Sequence, residues 1–244
     1  YFSRLYADNL RFCRAIHVVN STDKERLIQS FSVDGEKVFF IPYGLNNEEF
    51  SEPKLISEGF KIFFAGRFSE QKGVDYLIAL IDKLAVDPDF NCIKFIIAGT
   101  GPQEDLIIAL AKRYSNIKYL GFISESEKMK ELYQSADLAV VPSRWEMFPY
   151  NCLEPQAVGV PVIAFDIPGS RDIVIDGVTG WLIPLGDIPK FAEALIKLFH
   201  LKERDCSRFK SLKEIVWSNC IKRFSMDNII RKWEVLFRRS YFTD

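Results

Sequence analysis

With 244 residues, 48% of them hydrophobic and 27% charged, the chain can bury a full core and is no disordered segment. Its 32 Lys and Arg balance 33 Asp and Glu, so a net charge of -1 offers no overall attraction for nucleic acid or an anionic membrane, and any anion site must be local. Five cysteines without a CxxC pair argue against a disulfide framework and a zinc site and point to a reducing compartment, while no apolar run is long enough to span a bilayer.

Residues 1–14 carry apolar side chains at helical spacing, and the chain opens on Tyr1 inside that pattern, so a piece of a longer protein is expected. AIHVVNST reads as a strand ending on the helix caps Ser21 and Thr22, TDKERLIQSF as a short helix, and KVFFIPYGL (residues 37–45) as a strand broken at Pro42 and Gly44. The polar segment after it lacks periodicity, which puts a boundary near Glu52. From Phe60 strands and helices alternate: FKIFFAG, IKFIIAG, IKYLGF, LAVVP and PVIAF are strands, and QKGVDYLIALIDKLA, PQEDLIIALAKRY, SEKMKELYQSA and a segment ending near Val158 are helices. WLIPLGD is a late strand and turn, followed by helices over residues 188–201 and 226–239. Short strands rich in Val, Ile and Phe, each followed by a helix with one apolar face, demand crossovers and a parallel sheet covered on both sides. The predicted fold is α/β: a doubly wound parallel sheet with helices on both faces.

Ligands of such sheets bind outside the carboxyl ends of the strands, and the polar motifs fall there. GRFSEQKG (residues 66–73) supplies Gly66 for close backbone approach and Arg67 and Lys72 as cations for a diphosphate; the alternative is two solvated surface charges. GTGP, with Gly99 and Gly101, is a phosphate turn or simply a tight reversal, lacking the third glycine of a dinucleotide fingerprint and the Walker lysine. GFIS offers the backbone of Phe122 and Ile123 to a base. PSRWEMFPYNCLE (residues 142–154) carries Glu146 and Glu154 around a helix start. If that helix begins near Pro149, the N–H groups of Tyr150 and Asn151 face the cleft, and Glu154 can take two vicinal hydroxyls such as those of a ribose. Capping charges are the bland alternative, and it suits Glu146 better than Glu154. Trp145 and Phe148 read as core or cleft wall. Asp172 is either a ligand contact or the cap of a short helix after Gly169. His17 and His200 have no nucleophile and acid in a matching pattern, and no cluster has metal spacing.

The ordered set GRFSEQKG, IIAGTGP, LGFIS, VVPSRWEMFPYNCLE, GVPVIAFDIPGS and DGVTGWLIPLGD resembles the nucleotide-binding half of the retaining GT-B glycosyltransferases, specifically glycosyltransferase family four, over roughly residues 15–240. The Glu-x7-Glu signature, Glu146 and Glu154, is its most specific part. The resemblance implies a Rossmann-like donor domain over residues 53–225, the tail of an acceptor domain and hinge over residues 1–52, and a crossover helix over residues 226–244. It further implies that Arg67 and Lys72 hold the diphosphate of a nucleotide-diphosphate sugar and, with Glu146 on the sugar hydroxyls, carry catalysis. Glu154 would take the ribose, the backbone of Phe148, Tyr150 and Asn151 the sugar and distal phosphate, and GFIS the base. Pro149 and Pro155 stand where many members have Gly and Ala, so an irregular first turn or a later helix start is expected.

The implied activity is transfer of a hexose to an acceptor hydroxyl with retention, without cofactor or metal. The missing N-terminal acceptor domain would be the partner, without which this piece is inactive. A cytoplasmic location follows, with at most peripheral association at the inner face of the membrane. The alternatives are a non-catalytic nucleotide-sugar binding module and another GT-B enzyme such as a sugar-nucleotide epimerase or phosphorylase, although no lysine is identified that would carry a phosphorylase cofactor.

Overall fold

A computed structural model describes residues 9, 10, 12–54 and 59–241. The helix expected over residues 1–14 therefore lies largely outside the described residues. The chain enters through β1 (Ile16–Val18), α1 (Ser21–Phe31) and β2 (Val38–Phe40), and β1 and β2 pair in parallel as a small sheet of their own. Then come β3 (Phe60–Ala65), α2 (Val74–Leu84), β4 (Ile93–Ala98), α3 (Glu104–Arg113), β5 (Ile117–Tyr119), α4 (Ser126–Gln134) and β6 (Leu138–Val141). The second half contains α5 (Tyr150–Ala157), β7 (Val162–Phe165), α6 (Ser170–Ile173), β8 (Gly180–Ile183), α7 (Ile188–Arg204), α8 (Cys206–Phe224) and α9 (Met226–Tyr241).

The main sheet has six parallel strands in the order β5-β4-β3-β6-β7-β8, so the doubly wound fold is as predicted. Period-two alternation puts Phe60, Ile62 and Phe64 of β3 against Leu77 and Leu80 of α2 and Phe191 and Leu195 of α7. Phe63 points to the other layer, with Leu153 of α5 and Phe224 of α8. Every residue of β6 and β7 is buried, which explains why LAVV and VIAF read as unbroken apolar runs.

Helix α8 was not expected. Its buried stripe is Phe209, Lys213, Val216, Cys220 and Phe224, and a lysine in the middle of the stripe breaks the apolar period. Lys213 donates to the Ala136 carbonyl at 3.1 Å, and burial lowers its pKa to about 8. Beside it, at the amino ends of β3 and β6, the fully buried Asp137 accepts from Lys202 Nζ at 2.9 Å and from the Lys61 amide at 2.9 Å. Lys202 also donates to the Gly59 carbonyl at 2.6 Å. This ionic cluster ties α7 and α8 to the pole of the sheet opposite its carboxyl ends.

The expected strand over residues 37–45 is shorter, because Pro42 and Gly44 turn the backbone away. Leu45 then forms a bridge with Ser225: its amide donates to the Phe224 carbonyl at 2.8 Å, and its carbonyl accepts from the Met226 amide at 2.9 Å. The chain thus passes between the small sheet and the large one at two places bonded to each other. Ile41, Ile229 and Leu236 make a separate core beneath the small sheet.

Candidate functional site

Strand order reverses between β3 and β6, and at such a switch point the loops leaving the two strands diverge and open a crevice. The loop after β3 passes Gly66 and Arg67, makes a single 3-10 turn over Glu70–Lys72, and enters α2 through Gly73. Gly73 has φ 67°, and a Cβ there would lie 1.9 Å from the Pro142 carbonyl oxygen. The glycine therefore brings the β3 and β6 loops into direct contact.

The loop after β6 carries Glu146 and enters α5. Pro149 is the residue preceding the helix, with φ -77° and ψ 109°, so α5 begins one residue later than a first-turn proline requires. The Cys152 amide closes back on the Pro149 carbonyl at 2.9 Å, which makes the first turn tight, as the two prolines led us to expect. The Tyr150 and Asn151 amides find no acceptor among the described residues, and both residues line the crevice. Pro155 supplies no amide within α5, and the helix ends two residues later.

The crevice is a cleft of about 790 Å³. Gly66, Arg67 and Lys72 line it from the β3 loop, Gly99 and Gly101 from the β4 loop, and Phe122 and Ile123 from the β5 loop. Glu146, Phe148, Pro149, Tyr150, Asn151 and Glu154 complete it from the β6 loop and α5. The residues assigned from the sequence to the diphosphate, sugar, ribose and base thus border one cavity, while Asp172 and Trp145 do not. Among the further lining residues, Met129 and Tyr133 lie on an element from which the sequence reading named none. They stand four apart on α4, a spacing that marks one helix face without saying which neighbour it meets.

The two cations differ in their surroundings. Lys72 Nζ lies 2.5 Å from Glu146 Oε1, and Gln71 Nε2 reaches the other carboxylate oxygen at 3.5 Å and the Trp145 carbonyl at 3.2 Å. Arg67 is exposed and has no carboxylate partner among the described residues. It is the cation free to meet an incoming anion, while Lys72 comes already paired.

Burial raises the pKa of Glu154 from the ordinary 4.5; the adjacent Tyr133 hydroxyl works against that shift, and the charge of Glu49 adds to it. Tyr133, packed edge-on against Phe63 at 5.0 Å, has its phenol pushed well above the usual range by burial and by Glu154. Behind the pair, Cys152 is fully buried and its thiol is raised to about 12 by that burial, which makes it a packing residue and no nucleophile.

The GTGP turn owes its glycines to packing. Gly99 has φ 139° and a Cβ on it would fall 1.9 Å from the Gly66 carbonyl oxygen; one on Gly101 would fall 2.5 Å from that of Phe68. The Phe68 amide donates to the Thr100 carbonyl at 2.9 Å, binding the two loops together. Gly99→Ala should cost roughly 1–3 kcal/mol for the strained backbone and roughly 1–3 kcal/mol for overpacking. Urea denaturation checks this, and an unchanged midpoint would contradict it.

Two expectations are corrected. Asp172 neither lines the cleft nor caps its own helix: its carboxylate accepts from the Ser21 amide at 2.9 Å and so holds the start of α1. Trp145 is no wall or core residue, for its side chain is exposed, whereas Phe148 is buried as expected. All five cysteines are unpaired, and among the described residues no group of three or more His, Cys, Asp or Glu is placed to hold a metal ion.

Known proteins resemble this chain in the same region. An uncharacterized glycosyltransferase of Methanocaldococcus jannaschii is 33% identical over 197 residues, covering 73% of this chain and 49% of the relative. A phosphatidyl-myo-inositol mannosyltransferase of Mycobacterium leprae is 31% identical over 179 residues, covering 70% of this chain and 47% of the relative. The chain thus spans about half the length of these curated relatives. Among solved structures, S. aureus TarM in complex with Fondaparinux, alpha-GlcNAc-glycerol and UDP superposes with a TM-score of 0.80 at 22% identity, over 97% of this chain and 46% of that one, which shows a shared fold. Residues 46–212 match the family described as Glycosyl transferases group 1, and they include the whole cleft from Gly66 to Glu154. The chain belongs to the glycosyl transferases group 1 family.

Proposed function

We propose that the cleft binds a nucleotide-diphosphate sugar and that the protein transfers its hexose to an acceptor hydroxyl with retention, as a member of glycosyltransferase family four. The observation that carries this reading is the convergence on one cavity of a cation and two helix amides that find no partner among the described residues, together with a half-buried carboxylate. In this reading the diphosphate lies between Arg67, Lys72 and the Tyr150 and Asn151 amides, the ribose hydroxyls donate to Glu154, and the base lies along Phe122 and Ile123. Glu146 takes hydroxyls of the sugar.

Catalysis is then electrostatic. As the bond to the departing diphosphate loosens, negative charge grows beside fixed cations and N–H dipoles that need no reorganisation. Those groups supply the charge compensation that a metal ion provides elsewhere. In this reading no side chain is assigned as a nucleophile on the sugar, and retention then follows from attack by the acceptor on the face the leaving group vacates, as the family resemblance implies. UDP is the first nucleotide to test, since TarM was solved with it.

The acceptor site would lie on a preceding domain of which residues 1–52 are the tail, so the chain alone should bind donor without transferring it. Five unpaired cysteines suit a reducing, cytoplasmic setting. No described helix is long and apolar enough to cross a membrane, and membrane contact is read as peripheral.

Calorimetric titration with UDP, GDP and ADP tests the reading, and absence of binding to all three would overturn it. Glu154→Gln should weaken the favoured nucleotide by about 10–100-fold, the worth of hydrogen bonds to a charged acceptor. The pH dependence adds a check. Hydroxyl donors prefer the ionised carboxylate, so affinity falls as pH drops through the titration of Glu154, which burial places above 4.5. The ratio of wild-type to Glu154→Gln affinity cancels the titration of the phosphates, and it should shrink toward one in acid.

A further inference from the structure

Given the reading of the cleft as a donor site, we propose that Arg144 is a positioning residue that sets the geometry of the Lys72–Glu146 pair from outside the cavity. Arg144 does not line the cleft. Its guanidinium grips Asp75 with two parallel bonds of 2.7 and 2.5 Å, donates to the Glu70 carbonyl at 2.9 Å, and lies 4.1 Å above the ring of Tyr76. Its own amide donates to the Gln71 carbonyl at 2.8 Å. One residue of the β6 loop therefore holds both the turn that presents Lys72 and the first turn of α2.

The plain alternative is a surface ion pair, and exposed pairs add little to stability. Three features set Arg144 apart. Its side chain is only 20% exposed, the pairing is bidentate, and its bonds reach Glu70 and Gln71 of the 3-10 turn as well as Asp75 of α2. Gln71, whose carbonyl Arg144 holds, also donates to the Trp145 carbonyl and to Glu146. Arg144 and Glu146 are two residues apart, so the anchored turn and the anchored carboxylate share one short piece of backbone. Pro142 closes the other side against Gly73. The result is a frame in which the Lys72 ammonium and the Glu146 carboxylate are fixed relative to each other before any ligand arrives. Catalytic groups displaced by about 1 Å lose rate steeply.

Arg144→Met in the full-length protein should lower kcat about 10–100-fold while the dissociation constant for UDP stays within about twofold. Arg144→Lys should fail to restore the rate, because a single ammonium cannot reproduce the planar fork. Asp75→Asn should show the same loss, and the double variant no further loss. In a Lys72→Ala background Arg144→Met should have no further effect. Amide hydrogen exchange of residues 69–73 and 142–147, which needs no donor, should quicken together in Arg144→Met. A kcat within twofold of wild type, an undiminished effect in the Lys72→Ala background, or unchanged exchange in both loops would overturn the proposal. Absence of UDP binding by the wild type would instead overturn the donor reading, and the exchange experiment would still decide the positioning role.

Discussion

A Lys72→Ala variant of the intact protein is expected to lose about 10²–10³-fold in kcat, the range found when one preorganised charge-stabilising donor is removed. Lys72 sits on a single turn held against the β6 loop, its ammonium 2.5 Å from Glu146, and both groups are poorly exposed at 20% and 9%. Removing the ammonium does two things at once. The departing diphosphate loses a cation, and Glu146 keeps only the Gln71 hydrogen bond among the described residues, a carboxylate negative and poised against the same leaving group. Because the second effect acts as charge develops, the loss should fall on kcat more than on KM for the donor. Arg67→Ala, which removes the cation that has no carboxylate partner among the described residues, should instead weaken donor binding along with the rate. Steady-state kinetics over a range of donor concentrations separates the two, with thermal melting to show that both variants are folded. A Lys72→Ala enzyme with wild-type kcat would sink the catalytic assignment.

The largest effect on stability is expected far from that cleft. Asp137 is fully inaccessible and accepts from Lys202 and the Lys61 amide, with the buried Lys213 close by. Asp137→Ala removes the anion of the cluster and leaves the buried Lys202 and Lys213 ammonium groups without it, which should cost about 3–5 kcal/mol. Urea denaturation measures it. Replacing Asp137, Lys202 and Lys213 together by Leu, Met and Met should recover much of that loss, since an apolar set of similar volume carries no stranded charge. Nucleotide affinity per folded molecule should be unaltered, because the cluster lies at the opposite pole of the sheet. A single variant as stable as the wild type would show that water or Lys213 relaxes the site.

The contrast between these two places explains what could be read from residues alone. The strands were legible because burial on both faces leaves runs such as LAVV and VIAF with no polar interruption. The cleft was legible because loops at the carboxyl ends of parallel strands are where a sheet of this kind converges, so each polar motif could be assigned to one rim without knowing any distance. Pairings across the chain were not. Lys72 and Glu146 are 74 residues apart, and Asp172 finds its partner 151 residues away at Ser21. No local pattern encodes such meetings. Helix α8 was hidden for a different reason: Lys213 sits in its buried stripe and is matched by charge on other elements, so the segment looks polar while packing like a core helix. Tyr133 was overlooked because its hydroxyl has meaning only beside Glu154, which α5 brings to it.

The Leu45–Ser225 bridge has a mechanical side. Two crossings that are hydrogen-bonded to each other behave as a ribbon, one residue thick and two backbones wide. A ribbon flexes readily about the axis lying across its width, and it resists shear within its plane and torsion along its length. Motion of the small sheet against the large one should therefore follow a single arc, with the Ser21–Asp172 hydrogen bond as a further tie that such motion must stretch.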